Sequence, residues 1–395
     1  MVLGAGIYQL PLISLASEMD FETIVVSPRG DYPGIPLSDV HLDTDTRDIE
    51  RIVNAAGEYG ISGIVTTGTD AGVPAMGSVV DAMGLKGPSS RAAETASLKT
   101  VFRAFQEENR FNHPSYQVCS CSGDVWAFLQ KAKRKIVVKP DDSSGSRGVG
   151  VVDPAATREM VDQAYRNATV FSRNGRICVE SYVEGFNFGG AAFLSDGDFS
   201  FFSPTRKHMA GSLVQGHSFP SGLCEDEISV LKKEVLDTVL KLGYLNGPLD
   251  FDAVLSGREV TVLEVGLRLG GNGIVDCIKH GTGIDLLEWI LIYATGGEVS
   301  APDTCEPEKT SSYVFGTSCS GRLSGVPELE VLKKDVPELI KLVLARKPGD
   351  YVQPFIHNAN LVGYFMLRCG ENSYREVVAK LNNSFQLNFE EASVP

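Results

Sequence analysis

The spacing of apolar residues changes rhythm along the chain. Over residues 1–90, short β-branched runs alternate with stretches of helical period. A strand at Val2 and Leu3 enters Gly4-Ala5-Gly6, and helical spacing follows over 10–19. A strand is predicted at 23–27, a helix at 47–59, a strand at 61–67 and a helix at 72–83. Strands alternating with helices imply a parallel sheet with helices on its faces. Further along, helices are predicted at 97–109 and 124–133, with a short strand near Tyr116 and another strand at 135–139. A helix from 154 to about 171 starts with Pro154, which suits a first helical turn, and a strand follows at 176–182. From Asn187 onward strands dominate. Segments 188–194 and 199–204 flank Ser195-Asp196-Gly197-Asp198, a hairpin turn signal. Residues 205–225 read as irregular, 225–242 as a long amphipathic helix, and 273–279 and 284–293 as helices. A Pro- and Glu-bearing stretch at 301–309 reads as a linker. The tail predicts a strand at 311–316, a helix at 336–346, a strand at 362–368 and a helix at 374–381. Four units follow: 1–90, 91–183, 184–300 and 301–395. The first is Rossmann-like α/β with a parallel sheet, and the last a small α+β unit.

One segment carries charge inside an apolar alternation. LDFDAVLSGREVTVLEVGLRLGG alternates on both sides of Ser256-Gly257 and reads as two antiparallel strands. With a loop from Ser256 to Arg258, Asp250 falls opposite Glu264. Two facing carboxylates are costly unless a cation lies between them. Magnesium prefers such hard oxygens and usually brings phosphate with it. Asp252 shares the face of Asp250 by the two-residue period and is a reserve ligand.

Upstream, VVKPDDSSGSRGVGVV places Lys139 at the end of an apolar strand, just before a small-residue loop. A strand-end lysine pointing at such a loop neutralises phosphate oxygens, and the backbone N–H groups of Ser143 to Gly148 cradle a polyphosphate. The loop lacks the Gly-Lys-Ser/Thr of a Walker A sequence. Glu180-Ser181-Tyr182-Val183-Glu184-Gly185 ends a strand and turns, a hinge at which Glu180 could take the exocyclic amine of adenine. Arg268, just beyond Glu264, could reach phosphates or an acyl phosphate. Gly4-Ala5-Gly6 has Gln9 where a dinucleotide fingerprint needs its third glycine, so it reads as a tight turn. Gly216-His217-Ser218-Phe219-Pro220 departs from a serine-hydrolase elbow at its final proline. Together with Arg206-Lys207-His208 it reads as the lining of a substrate pocket, with His217 the candidate catalytic side chain.

Bulk numbers narrow the partners. The chain has 395 residues, 43% hydrophobic and 22% charged, with a net charge of −14. That balance disfavours a polyanion such as DNA or RNA. Eight scattered cysteines, with only Cys119 and Cys121 close together, read as reduced thiols of a cytosolic protein. No apolar run is long enough to span a bilayer, and no signal core opens the chain. The chain starts almost inside a strand, consistent with a natural start a few residues earlier. A cytoplasmic enzyme acting on small molecules is expected, with a homodimer as the default assembly.

The order of these parts resembles the ATP-grasp superfamily from about Val2 to Ser300. The resemblance rests on GAGIYQLPLI, TTGTD and GPSS, then SLKTVFRAF, VVKPDDSSGSRGVG, VESYVEGFN, and PLDFDA with LEVGLRLGG. It implies that 1–90 is a pre-ATP-grasp domain and that 91–183 and 184–300 are the two ATP-grasp subdomains. By resemblance, Lys99 and Lys139 contact ATP phosphates, and Ser144, Ser146 and Gly148 belong to the mobile loop. Glu180 and Val183 form the adenine hinge, and Asp250 and Glu264 hold magnesium, with manganese a substitute. Arg268 steadies the transferred phosphate. Two positions depart from the pattern. Asn187 stands where a ribose-binding glutamate is common, and Gly266 where an asparagine metal ligand is common.

The run RLGGNGIVDCIKHGTGIDLLEW is similar to amino-acid ligases that join a carboxylate to an amine. The implied reaction activates a carboxylate as an acyl phosphate, which an amine then attacks; the resemblance implies small substrates, amino acids among them. Two alternatives stand beside it: a bicarbonate- or carbamate-activating enzyme, and a non-catalytic nucleotide-binding module.

Overall fold

The computed structural model describes residues 1–300 and 307–390. Strands β1 (Val2–Leu3), β2 (Ile24–Ser27) and β3 (Val40–Asp43) form a parallel sheet. Alternate residues of these strands serve two cores. Val2 and Val25 pack with Leu12 and Ile13 of α1 (Leu10–Glu18). Leu3, Ile24 and Val26 pack with α2 (Ile49–Tyr59) and α3 (Val73–Met83). Helix α2 starts where the Asp48 side chain accepts from Arg51 N and stops at left-handed Gly60. The strand expected at 61–67 is reduced to isolated bridges, Val65 to Val2 and Thr67 to Leu269.

Helices α4 (Ser90–Ser97) and α5 (Lys99–Glu108) meet at extended Leu98, where a single helix from 97 was expected. They lead to an antiparallel sheet of β4 (Tyr116–Cys119), β5 (Ile136–Pro140), β6 (Gly150–Val152) and β7 (Ile177–Ser181), in the order β4-β7-β5-β6. Helices α6 (Ser122–Ala132) and α7 (Arg158–Phe171) pack on it. Helix α7 begins after Thr157, whose hydroxyl accepts from Met160 N, and not at Pro154. The side-chain cap sets the start because it satisfies an otherwise orphan N–H.

A larger sheet begins with β8 (Phe186–Ser195), β9 (Asp198–Ala210) and β10 (Leu213–Phe219), then β11 (Gly247–Ser256) and β12 (Glu259–Gly266). Helix α8 (Glu225–Lys241) buries Leu231, Val235 and Val239 against Phe188, Leu249 and Phe251 on one face. Helices α9 (Ile274–Thr282) and α10 (Leu286–Ala294) cover Ala191 and Phe193 on the other. Beyond 306 come β13 (Thr310–Phe315), β14 (Gly321–Gly325), α11 (Leu329–Leu332), β15 (Leu339–Leu344), β16 (Tyr351–Val352), β17 (Gly363–Leu367), α12 (Glu371–Ser384) and β18 (Asn388–Phe389). Three of these strands extend the large sheet, whose order is β12-β11-β8-β9-β10-β13-β17-β15. Strands from both sides of residue 300 therefore share one sheet. The expected linker at 301–309 lies mostly outside the described residues. Among the described residues no helix is long and apolar enough to cross a membrane.

Two expectations fail in the second half, for identifiable reasons. The helix expected at 336–346 is strand β15, paired antiparallel with β17. A bulge between Leu339 and Lys341 inserts one residue into the alternation. Leu339 and Leu342 then reach one core, and Ile340 and Val343 another. That three-residue spacing imitates a helix. The stretch read as irregular, 205–225, is largely the β9–β10 hairpin. Its polar residues gave no alternation to read because both faces of this end of β9 line cavities.

Candidate active site

A cavity of about 420 Å³ opens between the small antiparallel sheet and the large one. It gathers Lys99, Lys139, Ser144, Ser146, Glu180, Val183, Asn187, His217, Asp250, Glu264 and Arg268, every expected site residue except Gly148. Gly148 has a φ of +72°, and a Cβ there would lie 3.0 Å from both Phe171 and Pro140. Its role is to seat the loop against α7.

The loop is tethered on two sides. Ser146 Oγ donates to Ser212 O at 3.1 Å, on the β9–β10 turn. Asn358 N donates to Gly145 O at 3.0 Å from the short turn Asn358–Asn360. Lys99, the first residue of α5, donates to Ser143 O. Arg147 folds back onto Ser144 O at 2.9 Å.

Lys139 projects from the end of β5 and meets Glu180 Oε2 at 2.7 Å. Glu180 is 2% exposed and also meets Arg103 Nε at 3.0 Å. Burial pushes its pKa up, but Arg103 and Lys139 outweigh burial and hold it at about 2. This departs from the expectation that Glu180 takes the adenine amine. Both its oxygens are engaged with cations, so its carboxylate positions Lys139. Arg103 was not singled out from the sequence; its burial on the inner face of α5, 1% exposed, is a tertiary fact.

The carboxylate hairpin has a different register from the expected one. Asp252, not Asp250, stands opposite Glu264, and Asp250 stands opposite Gly266. The turn is Gly257-Arg258, since Ser256 pairs with Glu259. A shift between Asp252 and Ala253 then passes over Leu263 and moves the register by one more residue. Asp252 carries the Lys207 ammonium at 2.5 Å.

Asp250 is instead bonded to Arg268, which also grips Asp70 from the N-terminal segment. Burial lowers the Arg268 pKa, yet Asp70 and Asp250 raise it above the usual guanidinium range, so it stays charged. Burial pushes the Asp250 carboxyl up, against the pull of Arg268. Gly266 now has a local reason. A Cβ at that position would lie 2.9 Å from Arg268 Cζ, so the space beside Glu264 belongs to the guanidinium. Asp70 ends the TTGTD run, but nothing in the sequence alone linked it to Arg268.

His217 is 4% exposed on β10. Its Nδ1 lies 2.9 Å from Thr205 Oγ1, whose single proton goes to Gly189 O at 3.1 Å. The network therefore assigns the proton to Nδ1 and leaves Nε2 as an acceptor. Burial, then Lys207 and His208, lower its pKa well below the ordinary value, so the ring is neutral. Gly189 keeps this corner open: a Cβ would lie 3.1 Å from His217 Cε1 and 3.2 Å from Asp252 Oδ1. Tyr8 and Asn272, hydrogen-bonded at 2.9 Å, line the same cavity.

The donors suit a hard cation. Among the described residues no group of three or more His, Cys, Asp or Glu could hold a metal. Asp252 and Glu264 are two oxygen donors beside a triphosphate-sized cleft, and magnesium commonly takes one or two carboxylates with phosphate and water. The ammonium already seated on Asp252 marks the place as one that attracts positive charge.

Residues 99–272 match the ATP-grasp domain family. The chain carries an ATP-grasp domain, and its architecture is that of an ATP-grasp protein. Within that class it is similar to carboxylate–amine ligases. It is 25% identical over 207 residues to the phosphoribosylamine–glycine ligase of Clostridium acetobutylicum, covering 47% of this chain and 49% of that one. It is 22% identical over 294 residues to the alanine–anticapsin ligase of Bacillus subtilis, covering 66% and 61%. The chain thus spans about half the length of the first of these relatives. The crystal structure of an L-amino acid ligase from Bacillus licheniformis superposes with a TM-score of 0.82 at 19% identity, covering 99% of this chain and 98% of that one.

Proposed function

We propose that the protein is an ATP-dependent ligase that joins a carboxylate to an amine through an acyl phosphate, releasing ADP and phosphate. The observation that carries this reading is the convergence of Lys139, the 143–149 loop, Arg268 and the Asp252–Glu264 pair on one cavity. The names of the curated relatives, ligases of glycine and of alanine, support the same class.

In this reading the backbone at 181–183 meets the adenine. Lys99 and Lys139 neutralise triphosphate oxygens, with Glu180 fixing the Lys139 ammonium. Asp252 and Glu264 would hold magnesium, which when bound supplies charge neutralisation at the transferring phosphoryl group. The substrate carboxylate attacks the γ-phosphate of ATP, ADP leaves, and an amine attacks the acyl carbon and expels phosphate. Arg268, locked by Asp70 and Asp250, stabilises the oxyanion that forms. The bare Nε2 of His217, kept neutral, accepts a hydrogen bond from the substrate amine and orients it for attack. The tethered loop keeps water from the acyl phosphate.

The test is ADP release with magnesium across pairs of amino acids, with mass spectrometry of the product. A product mass equal to two substrates less water supports the reading. Turnover with bicarbonate alone would favour the carboxylating alternative, and no ADP with any acid would refute a ligase.

A further inference from the structure

A second cavity, of about 620 Å³, is built from β9 and α12. Successive side chains of β9 point to opposite faces. Thr205 and Lys207 turn toward His217 and Asp252 in the catalytic cavity, while Arg206 and His208 turn into this second one. Its chemistry is basic and aromatic, within a chain whose net charge is −14. The Arg206 guanidinium lies 4.2 Å from the centre of the Phe186 ring and 5.0 Å from that of Phe188. Phe186 is 61% exposed, so the guanidinium covers only part of its ring. Arg375 lines the same cavity and has no ion-pair partner among the described residues.

His208 reports the local field. Burial, then Arg206 and Arg375, lower its pKa to about 4. The neutral ring stacks on Tyr374 at 3.6 Å and bonds Ser218 Oγ at 2.7 Å. The cavity runs along the side of the 14-residue α12, from Glu371 in its first turn to Asn382. One acid lines it: Glu371 Oε1 sits 3.2 Å from Arg206 Nε, with a side chain 32% exposed. A carboxylate is thus already bound by Arg206, and it is the chain's own. Because Glu371 is partly solvated, releasing it to water costs little.

We propose that this cavity is a binding site for a small organic carboxylate, which takes the place of Glu371 on Arg206 and is held also by Arg375. The two cavities share the wall formed by Asn187, Lys207 and Met209, but Arg206, Glu371 and Arg375 line this one alone, and the assignment stands whether or not the ligase reading holds.

The test is calorimetric titration of the full chain with sodium succinate, at fixed ionic strength, with inorganic phosphate as a parallel arm. Glu371→Gln removes the internal competitor and should tighten succinate binding on the order of tenfold, the scale of one charge-assisted hydrogen bond. Arg375→Ala, at an exposed position, should weaken binding by a similar factor. Absence of binding to both the native chain and Glu371→Gln would overturn the proposal. So would an affinity that Glu371→Gln fails to raise. Phosphate bound where succinate is not would overturn the carboxylate assignment.

Discussion

Glu264 faces Asp252 because a single residue, Leu263, is passed over in the ladder between β11 and β12. That shift separates two acids that the two-residue period places on one face. Asp252 becomes the partner of Glu264, and Asp250 becomes the anchor of Arg268. The division predicts different phenotypes. Asp252→Asn and Glu264→Gln should each lower the affinity of the ADP–Mn²⁺ complex and reduce turnover by roughly 10²-fold, the scale for losing a charge-stabilising group at a reacting centre. Asp250→Asn should leave Mn²⁺ affinity near the native value while turnover falls, which paramagnetic resonance of bound Mn²⁺ would separate. Lys139→Ala should cost a comparable factor in turnover with an unchanged circular dichroism spectrum. Glu180 makes a further prediction. Its folded pKa, about 2, lies below its ordinary value of 4.5. Its contribution to stability is therefore present above about pH 4.5 and is lost as pH falls toward 2. Glu180→Gln should flatten the pH dependence of denaturant unfolding in that window. It should also destabilise the protein near neutrality by about 3–5 kcal/mol, since Arg103 loses its buried partner.

At the scale of elements, the phosphate loop depends on a backbone shape. Gly145, Ser146 and Gly148 have φ of +64°, +58° and +72°. These turns let the chain leave β5, cross the cavity mouth and return as β6. Gly148→Ala adds a strained left-handed residue and a Cβ 3.0 Å from Phe171 and Pro140. It should cost about 1–2 kcal/mol in chemical unfolding, and more where α7 cannot yield. Strand β15 and the β9–β10 hairpin show why element type was misread where it was. A bulge turned a strand alternation into a helical-looking spacing in β15. In β9 the first half was read correctly at 199–204, but beyond Thr205 cavities on both faces removed the apolar signal. Where one face of an element met a dry core, as in α2, β5 and α8, periodicity located it to within a few residues.

At the scale of the whole molecule, the cavity is assembled from distant parts of the chain. Tyr8 and Asp70 come from the first 90 residues, Lys139 from the small sheet, Asp252 and Glu264 from the large one, and Asn358 from the tail. A ligand that fills this space should bind these parts together. A non-hydrolysable ATP analogue with magnesium, at 100 times its Kd, should raise stability by about 2.7 kcal/mol. It should also slow proteolytic cutting within 143–149. No change in either would count against nucleotide binding at this place.

The residues themselves carried the order of elements through the ATP-grasp region, the lysine and glycine loop, and the presence of an acidic hairpin. These are local matters: side-chain period, turn chemistry and residue type in short runs. Tertiary structure alone decided which acid faces Glu264, that Glu180 serves Lys139 and Arg103, and that Asp70 and Asp250 share Arg268. Each of those depends on a bulge or on contacts between segments far apart in the chain. A one-residue shift in a ladder, or a buried charge seeking a partner across domains, leaves no mark in local periodicity.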